Sequence, residues 1–265
     1  MEVTMNNTNE VWKNKVREIA ENPQYISHPR GMEVKERLAE QYTVEMPAYI
    51  DLDERKVNVN FMFAEAAWII SGSNILSDLT PTMKRYADFS DDGVFLRGAY
   101  GPKVIDQLGY IVDTLEKDKD SRQAVLNIWR ERPGESKDIP CTTNMQFIIR
   151  DNKLNMITTM RSHDIVLGYT YDVFSFSMVA KAVQLLLKDR GIDVELGELT
   201  VTAGSMHLYE THYEKYKQWT ESDRINKSIK AVVDFIMERS LSYHSLINNL
   251  EMMSKNYQEG DEEVL

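Results

Sequence analysis

The chain has one cysteine in 265 residues, so it cannot close an internal disulfide or build a zinc site from several cysteines. It has no apolar run near the roughly 18 residues that a membrane span needs. Residues 1–14 are polar, without the apolar core of a signal peptide. No linker rich in proline, glycine or serine divides the sequence. These absences predict one soluble domain over residues 1–265, located in the cytoplasm.

Positive charge is also scarce, since 31 Lys and Arg stand against 42 Asp and Glu, for a net charge of -11. An acidic chain is a poor candidate for DNA or RNA binding, because that binding depends on basic side chains that neutralise phosphates. The field inside a pocket is set by nearby charges rather than by the total. The composition therefore argues against a nucleic-acid partner but permits a small anion held by local arginines.

Hydrophobic periodicity predicts an α+β fold with a mixed sheet, because helices and strands follow one another without a regular βαβ order. The predicted helices cover residues 10–22, 60–71, 102–118, 173–188 and 206–219, with further helical stretches in 222–256. The predicted strands cover residues 34–46, 124–129, 145–150, 154–160 and 198–203.

Turn residues mark the limits of these elements. Asp151-Asn152 is typical of a two-residue hairpin, Gly72 is a helix stop, and residues 22–31 read as a loop. The helix over 102–118 is expected to bury Ile105, and the acidic tail 258–265 is expected to be mobile.

The lone cysteine, Cys141, follows Pro140 and has two possible roles. Most single cysteines are buried and inert. A nucleophilic cysteine needs a nearby cation that lowers its pKa. A hairpin of strands around 145–150 and 154–161 brings Arg161 and Cys141 to the same open end, which favours the nucleophile without proving it.

Other polar residues form a candidate binding set. An Arg–Ser pair such as Arg161-Ser162 is a good phosphate grip, although an arginine at a strand end is usually solvated. Arg30 and Arg122 are two further candidates, each weak alone.

Three more side chains have two readings each. Glu65 lies on the apolar face of its helix, where burial raises a carboxyl pKa and suits proton transfer; a helix-edge Glu that reaches solvent is the alternative. His207 and Tyr209 alternate on one face if the preceding strand continues, and they bind a sugar hydroxyl or simply pack in the core.

These residues occur in an order and spacing that resemble the thymidylate synthase family, and within it the deoxycytidylate hydroxymethylases. The resemblance covers about residues 28–220. Its motifs are Glu65-Ala66-Ala67-Trp68 with Gly72, Tyr100-Gly101, Asp120-Ser121-Arg122, Pro140-Cys141 with Gln146-Phe147, Arg161-Ser162-His163-Asp164, Leu167-Gly168 and His207-Leu208-Tyr209.

The departures from the family pattern are informative. Thymidylate synthases usually carry His after the catalytic Cys, where this chain has Thr142. The second arginine of their Asp-Ser-Arg-Arg motif is Gln123 here, and the C-terminal closing segment has no clear match in residues 262–265. Where the family has Asn shortly after Leu-Gly, this chain has Asp172, as the cytosine-directed members do.

Hydrogen-bond chemistry explains why that last position matters. An Asn amide complements N3–H and O4 of uracil, whereas a carboxyl group accepts from the 4-amino group of cytosine and shares a proton with N3. An ionised Asp172 repels O4 of uracil, while a neutral one tolerates it. Asp172 also reads as the N-cap of the helix from Val173, and the two roles are compatible.

The resemblance implies a fold and a reaction. The fold is a mixed, twisted sheet covered by helices on one face, with the other face forming a homodimer interface. The reaction is 5-hydroxymethylation of dCMP with 5,10-methylenetetrahydrofolate and water, as in the modified-base pathways of some bacteriophages, where the location is the host cytoplasm.

The resemblance also assigns roles to residues. Cys141 attacks C6, Glu65 and Tyr100 organise proton transfer, and Asp172 reads the base. The remaining assignments are Arg161, Ser162, Arg30 and, from the partner subunit, Arg122 for phosphate; His207, Tyr209 and Gln146 for base and sugar; and Asp164, Trp68 and Tyr86 for folate.

Several alternatives stay open. With a uracil nucleotide as substrate, the protein is a deoxyuridylate hydroxymethylase. If the product carries a methyl group instead, it is a thymidylate synthase. CMP is an alternative to dCMP, because His207 and Tyr209 contact the 3′-hydroxyl of either sugar. A nucleotide- or RNA-binding relative without catalysis is disfavoured by the intact Cys141, Glu65 and Arg161.

Overall fold

The computed structural model describes residues 7–130 and 134–257. Its helices are α1 (Thr8–Glu21), α2 (Val59–Ile70), α3 (Gly101–Lys117), α4 (Leu167–Asp189), α5 (Tyr216–Glu221), α6 (Lys227–Arg239) and α7 (Tyr243–Asn256). Its strands are β1 (Tyr25–Ser27), β2 (Val34–Glu45), β3 (Val125–Asn127), β4 (Thr142–Arg150), β5 (Lys153–Met160), β6 (His163–Asp164) and β7 (Glu195–Tyr209). The predicted mobile tail, 258–265, lies outside the described residues.

The described strands form one sheet in the order β1-β2-β7-β5-β4-β3, with β6 beside β7. The pairs β5–β7 and β6–β7 are parallel and the other pairs are antiparallel. This arrangement confirms the predicted α+β class with a mixed sheet. The prediction of one domain over 1–265 stays a prediction.

Alternating burial along β4 shows which face of the sheet the core occupies. Met145, Phe147 and Ile149 are buried, whereas Gln146 and Ile148 between them are only half-buried. Because successive strand residues point to opposite faces, the core lies on one side. The helices α1 and α4 contact β2, β5 and β7 and help to cover the sheet.

The hairpin that joins β4 to β5 is confirmed. Asp151 and Asn152 have φ of 50° and 58°, which is the left-handed region that a two-residue turn of this kind requires and that Asp and Asn tolerate. Gly72, just beyond α2, has φ of 83°, as expected for a glycine that ends a helix.

Helix α4 begins at Leu167 rather than at 173, so Asp172 lies in its second turn. The interpretation of Asp172 as an N-cap is therefore wrong. The N-cap is Val166, and Asp164, two residues before it, accepts through Oδ1 from the backbone N–H of Val166 at 2.8 Å and of Leu167 at 3.0 Å. The predicted burial of the helix is confirmed, because its residues from 173 to 180 are all buried.

Strand β7 continues to Tyr209, so the prediction of a helix over 206–219 is wrong for its first half. Pairing with β2 runs without a break from Ser205 to Tyr209, opposite Leu38 to Val34, and buries Met206 and Leu208. Long-range pairing of this kind overrides the local helical pattern. The helical part of the segment is the short α5.

Two smaller predictions also change. Residues 22–31 contain β1, paired with β2, followed by a tight 3₁₀ turn at Pro29–Gly31. On α3, Ile105 is not buried as expected. It is 43% exposed and lies against Gly72, whereas its neighbour Val104 is buried. No helix in the described part of the chain has the length and apolar character needed to cross a membrane.

Candidate active site

The lone cysteine and the cation expected near it lie at one end of the β4–β5 hairpin. Arg161 follows β5, and its backbone N–H donates to the Cys141 carbonyl at 2.8 Å. Its guanidinium donates to the carbonyls of Pro140 at 3.0 Å and Ile139 at 2.9 Å, and lies 5.8 Å from the ring of Trp129. The predicted juxtaposition is confirmed, and Arg161 also fixes the segment that carries the thiol.

The electrostatics of the thiol differ from the expectation. Burial raises the pKa of Cys141, and the charges of Asp172 and Asp138 act in the same direction. Arg161 and, more weakly, Arg30 lower that pKa but do not offset the loss of water. The expected cation is present, but the net effect on Cys141 is a raised pKa, so the thiol must give up its proton when it reacts.

Glu65 faces the core from α2 and is only 9% exposed, so the alternative of a solvent-facing residue is wrong. Burial raises its pKa to about 8, with a further rise from the charge of Asp172. The hydrogen bond that the Tyr86 hydroxyl donates to Glu65 acts in the opposite direction. The predicted rise is confirmed, and a carboxyl group with this pKa exchanges protons near neutral pH.

Asp172 lies close to these groups, with a side chain that is 20% exposed. Its charge raises the pKa of Glu65, Tyr86, Tyr100 and Cys141. Charges affect one another in this way only at short range. These five side chains therefore form one cluster, and they come from α2, the 3₁₀ segment Lys84–Phe89, the start of α3, the start of β4 and α4.

Tyr100 lies beside the segment that carries the thiol. Its hydroxyl oxygen accepts from the backbone N–H of Thr142 at 3.2 Å, next to Cys141 in the chain. Burial raises the pKa of Tyr100 well above its usual range, so the hydroxyl keeps its proton. The family position that usually carries His is occupied here by the buried Thr142.

His207 and Tyr209 lie at the end of β7, with ring centroids 5.1 Å apart. The expected alternation along a continuing strand is confirmed. Burial lowers the pKa of His207, which is therefore a neutral hydrogen-bonding group rather than a cation at neutral pH. A sugar-binding role stays a prediction.

The predicted phosphate-binding residues do not all lie together. Ser162 is half-buried beside Arg161, and Arg30, in its tight turn, is close enough to affect Cys141. Arg122 is exposed near β3, and its carbonyl accepts from the side-chain amide of Gln146 at 2.9 Å. Gln146 is thereby held at the β3–β4 edge on the less buried face of the sheet, which does not support its predicted contact with the base.

The predicted folate-binding residues are partly engaged in the fold. Trp68 is buried, and its Nε1–H donates to the Ile75 carbonyl at 3.1 Å. Tyr86 donates to Glu65 and packs against Phe61 and Phe89 with ring centroids 5.3 and 6.0 Å away. Asp164 uses Oδ1 at the start of α4, so its second oxygen is the one left for a ligand.

Sequence reasoning missed two residues that contact Asp172 directly or through one neighbour. His163 Nδ1 lies 3.4 Å from Asp172 Oδ2, and His163 Nε2 lies 2.9 Å from the Tyr42 hydroxyl. The only available signals were a histidine inside the Arg-Ser-x-Asp motif and the apolar alternation that turns Tyr42 inward. The part of the chain that the structure describes contains no cluster of His, Cys, Asp or Glu suited to a metal.

Comparison with known proteins supports the family resemblance. The family described as thymidylate synthase matches residues 10–258. A deoxyuridylate hydroxymethyltransferase of Pseudomonas phage M6 is 31% identical over 167 residues, which are 59% of this chain and 46% of the relative. A protein of the same name from Bacillus phage SP01 is 28% identical over 207 residues, or 70% and 53%. The chain thus spans about half the length of these curated relatives.

The raised pKa of Glu65 predicts how stability depends on pH. Folded Glu65 keeps its proton up to about pH 8, whereas an ordinary glutamate releases it near 4.5. Between those values the folded state binds the extra proton, so stability falls as pH rises. Glu65→Gln keeps a neutral side chain, and we expect it to gain on the order of a few kcal/mol relative to the wild type between about pH 5 and pH 9.

Urea unfolding of the wild type and of Glu65→Gln, at about pH 5 and about pH 9, measures this gain. The exposed Glu251 offers a matched control, since Glu251→Gln should leave the pH dependence unchanged. An equal stability difference between Glu65→Gln and the wild type at both pH values would contradict the assigned pKa.

Proposed function

Because this chain belongs to the thymidylate synthase family, we propose that it transfers one carbon to C5 of a pyrimidine nucleotide, and that its reaction is the 5-hydroxymethylation of dCMP. One observation carries the proposal. Asp172, an acidic side chain suited to the amino edge of cytosine, lies close enough to both Cys141 and Glu65 to act on them electrostatically.

Cys141 is the nucleophile of the proposed reaction. Its Sγ bonds to C6 of the pyrimidine, and the electron pair of the C5–C6 double bond moves to C5, which becomes a carbon nucleophile. Because burial raises the pKa of the thiol, the proton must pass to a neighbouring base as the bond forms. Arg161 holds the carbonyls of residues 139 and 140, which fixes the position of the sulfur.

Asp172 supplies the choice of base. Its carboxylate accepts a hydrogen bond from the 4-amino group of cytosine and shares a proton with N3. Attack at C6 pushes electrons toward N3, so sharing that proton also stabilises the adduct. Uracil presents the O4 acceptor instead, and a mismatched edge leaves buried polar groups unpaired, at roughly 1–3 kcal/mol each.

Methylenetetrahydrofolate supplies the one-carbon unit when it is bound. Trp68 and Tyr86 are the aromatic side chains that would hold a flat heterocycle near Glu65, and the free oxygen of Asp164 would accept from its N–H groups. The chemistry of this set is compatible with a pterin, and the buried Glu65–Tyr86 hydrogen bond places an acidic proton beside it.

Glu65 and Tyr86 support hydration as the last step. After the carbon is attached, C5 loses its proton, tetrahydrofolate leaves from the attached carbon, and an exocyclic methylene group forms on the ring. Water then bonds to that carbon and the C6–S bond breaks, which gives the hydroxymethyl product and frees Cys141. Thymidylate synthases tend to carry Trp where this chain has Tyr86, and the Tyr86 hydroxyl on Glu65 provides a polar partner for water.

The phosphate of the nucleotide is assigned to Arg161 and Ser162, with help from Arg30. Arg122, exposed and remote from Ser162 along the sheet, is assigned to the partner subunit's pocket, so the working enzyme is a homodimer. The half-buried side chains on the second face of the sheet, such as Gln146 and Ile148, support that face as the interface. His207 and Tyr209 are assigned to the sugar hydroxyl, and the setting is the cytoplasm of an infected host.

The second candidate is hydroxymethylation of dUMP. The printed names of the two phage relatives favour it. On this reading Asp172 is neutral when substrate binds, because a protonated carboxyl group accepts from N3–H of uracil and donates to O4. A methyl product or a CMP substrate are further variants of the same chemistry.

Mass spectrometry of the products tests the function. We expect the protein, incubated with methylenetetrahydrofolate and separately with dCMP, CMP or dUMP, to form 5-hydroxymethyl-dCMP as its main product. Cys141→Ser should abolish this product and the release of tritium from 5-tritiated dCMP, because a serine hydroxyl is too weak a nucleophile for C6. Tritium release that survives in Cys141→Ser would contradict covalent catalysis, and a product from dUMP alone would favour the second candidate.

Asp172→Asn tests the assignment of the base. An amide offers one donor and one acceptor, which complement uracil, so we expect the ratio of kcat/KM for dCMP over dUMP to fall by about tenfold or more. Asp164→Asn is a poor control because Asp164 starts α4, so the exposed Asp113→Asn is preferable. A variant that keeps full selectivity for dCMP would show that Asp172 does not read the base.

A further inference from the structure

Asp172 makes its one ion-pair contact, among the residues that the structure describes, with His163. The other groups that its charge affects carry carboxyl, phenol or thiol side chains, namely Glu65, Tyr86, Tyr100, Tyr42 and Cys141. No arginine or lysine in the described chain pairs with its carboxylate. His163 is therefore the nitrogen donor that the fold places beside Asp172, with Nδ1 3.4 Å from Oδ2.

His163 is held in place from several directions. Its side chain has no exposed surface. The ring stacks on Tyr42 with centroids 5.8 Å apart and packs against Tyr169 at 5.9 Å. Its position on β6, between Ser162 and Asp164, ties it to β7. An imidazole packed in this way cannot turn toward solvent, so its two nitrogens must find partners inside the core.

One of these nitrogens has a partner and the other faces Asp172. Nε2 lies 2.9 Å from the Tyr42 hydroxyl. Nδ1 forms no properly aligned hydrogen bond with any described residue, although Asp172 Oδ2 is 3.4 Å away. It is a fully buried polar atom that faces Asp172.

The tautomer of this histidine depends on the direction of its hydrogen bond with the Tyr42 hydroxyl. Burial raises the pKa of Tyr42 well above its usual range, so the hydroxyl keeps a proton that it is able to donate. When that proton is donated to Nε2, the imidazole carries its own proton on Nδ1, which then faces Asp172 Oδ2. A donor in this position holds one oxygen of Asp172 by a hydrogen bond.

A missing side chain makes this contact possible. Gly168 lies one turn before Asp172 on α4, and a Cβ atom there would be 3.2 Å from Asp172 Oδ2 and 3.6 Å from His163 Nδ1. The glycine thus leaves the carboxylate and the imidazole a shared space that an alanine would crowd.

We infer that His163, oriented by Tyr42, is a positioning residue that decides which pyrimidine Asp172 accepts. Donation from Nδ1 to Oδ2 holds that oxygen of Asp172 in place and leaves the other oxygen to accept from the 4-amino group of cytosine. Uracil presents the O4 acceptor at the same place, so its edge is left unpaired. Without the donor, the carboxyl group is free to turn to the edge of either base, so selectivity falls. The inference rests on the proposed function, because it assumes that the base lies against Asp172.

Nucleotide binding tests this inference without folate or turnover. Isothermal titration calorimetry of the full chain gives Kd for dCMP and for dUMP, and the readout is the ratio of the two. Leucine and asparagine are matched in size, so His163→Leu removes the donor while His163→Asn places an amide N–H near the position of Nδ1. Tyr42→Phe keeps the ring stack and removes only the hydroxyl that orients His163.

We expect His163→Leu to reduce the preference for dCMP over dUMP by about tenfold, mainly through tighter binding of dUMP relative to dCMP. His163→Asn should restore the preference to within about threefold of the wild type, and Tyr42→Phe should shift it in the same direction as His163→Leu. If His163→Leu does not fold, Tyr42→Phe alone still decides the question.

Two outcomes would overturn the inference. One is an equal loss of affinity for both nucleotides in His163→Leu and Tyr42→Phe, which is what a merely structural role produces. The other is a wild type that binds neither nucleotide, which also ends the proposed function. A wild type that prefers dUMP contradicts the choice of dCMP only, since the variants still show whether the ratio moves with His163.

Discussion

The site depends on two carboxyl groups, Glu65 and Asp172, that lie in one cluster. Burial, followed by the charge of Asp172, raises the pKa of Glu65 to about 8. Asp172 instead has the imidazole of His163 beside it. The two carboxyl groups thus have different neighbours, and we assign proton transfer to Glu65 and base recognition to Asp172.

The fold supplies these environments through elements far apart in sequence. The nucleophile precedes β4, and Arg161, after β5, bonds the carbonyls of Cys141 and of Pro140 before it. Helix α4 places Asp172 near Cys141, and Asp164 bonds the backbone at the start of that helix. A rigid strand end therefore positions the thiol, and a buried helix positions the group proposed to read the base, so the two act on one ring from fixed directions.

The parts of the site that could be predicted from sequence are those with local signals. The Asp151-Asn152 turn places Cys141 and Arg161 at one end of a hairpin, and a carboxyl group on the apolar face of α2 has a raised pKa. The thiol pKa could not be predicted, because it depends on how much water the fold removes from Cys141 relative to the charge that Arg161 contributes. The partnership of Tyr42 with His163 joins β2 to β6 across 121 residues, and no pattern in either segment indicates it.

The central claim is that Cys141 attacks a cytosine ring held by Asp172, and trapping with a 5-fluoro nucleotide tests it most directly. Fluorine at C5 cannot leave as the proton does, so the adduct between sulfur and C6 persists in the presence of methylenetetrahydrofolate. Mass spectrometry of the digested protein should then find 5-fluoro-dCMP covalently attached to the peptide that contains Cys141. An adduct that forms with 5-fluoro-dUMP but not with 5-fluoro-dCMP, or that lies on another residue, would contradict the account.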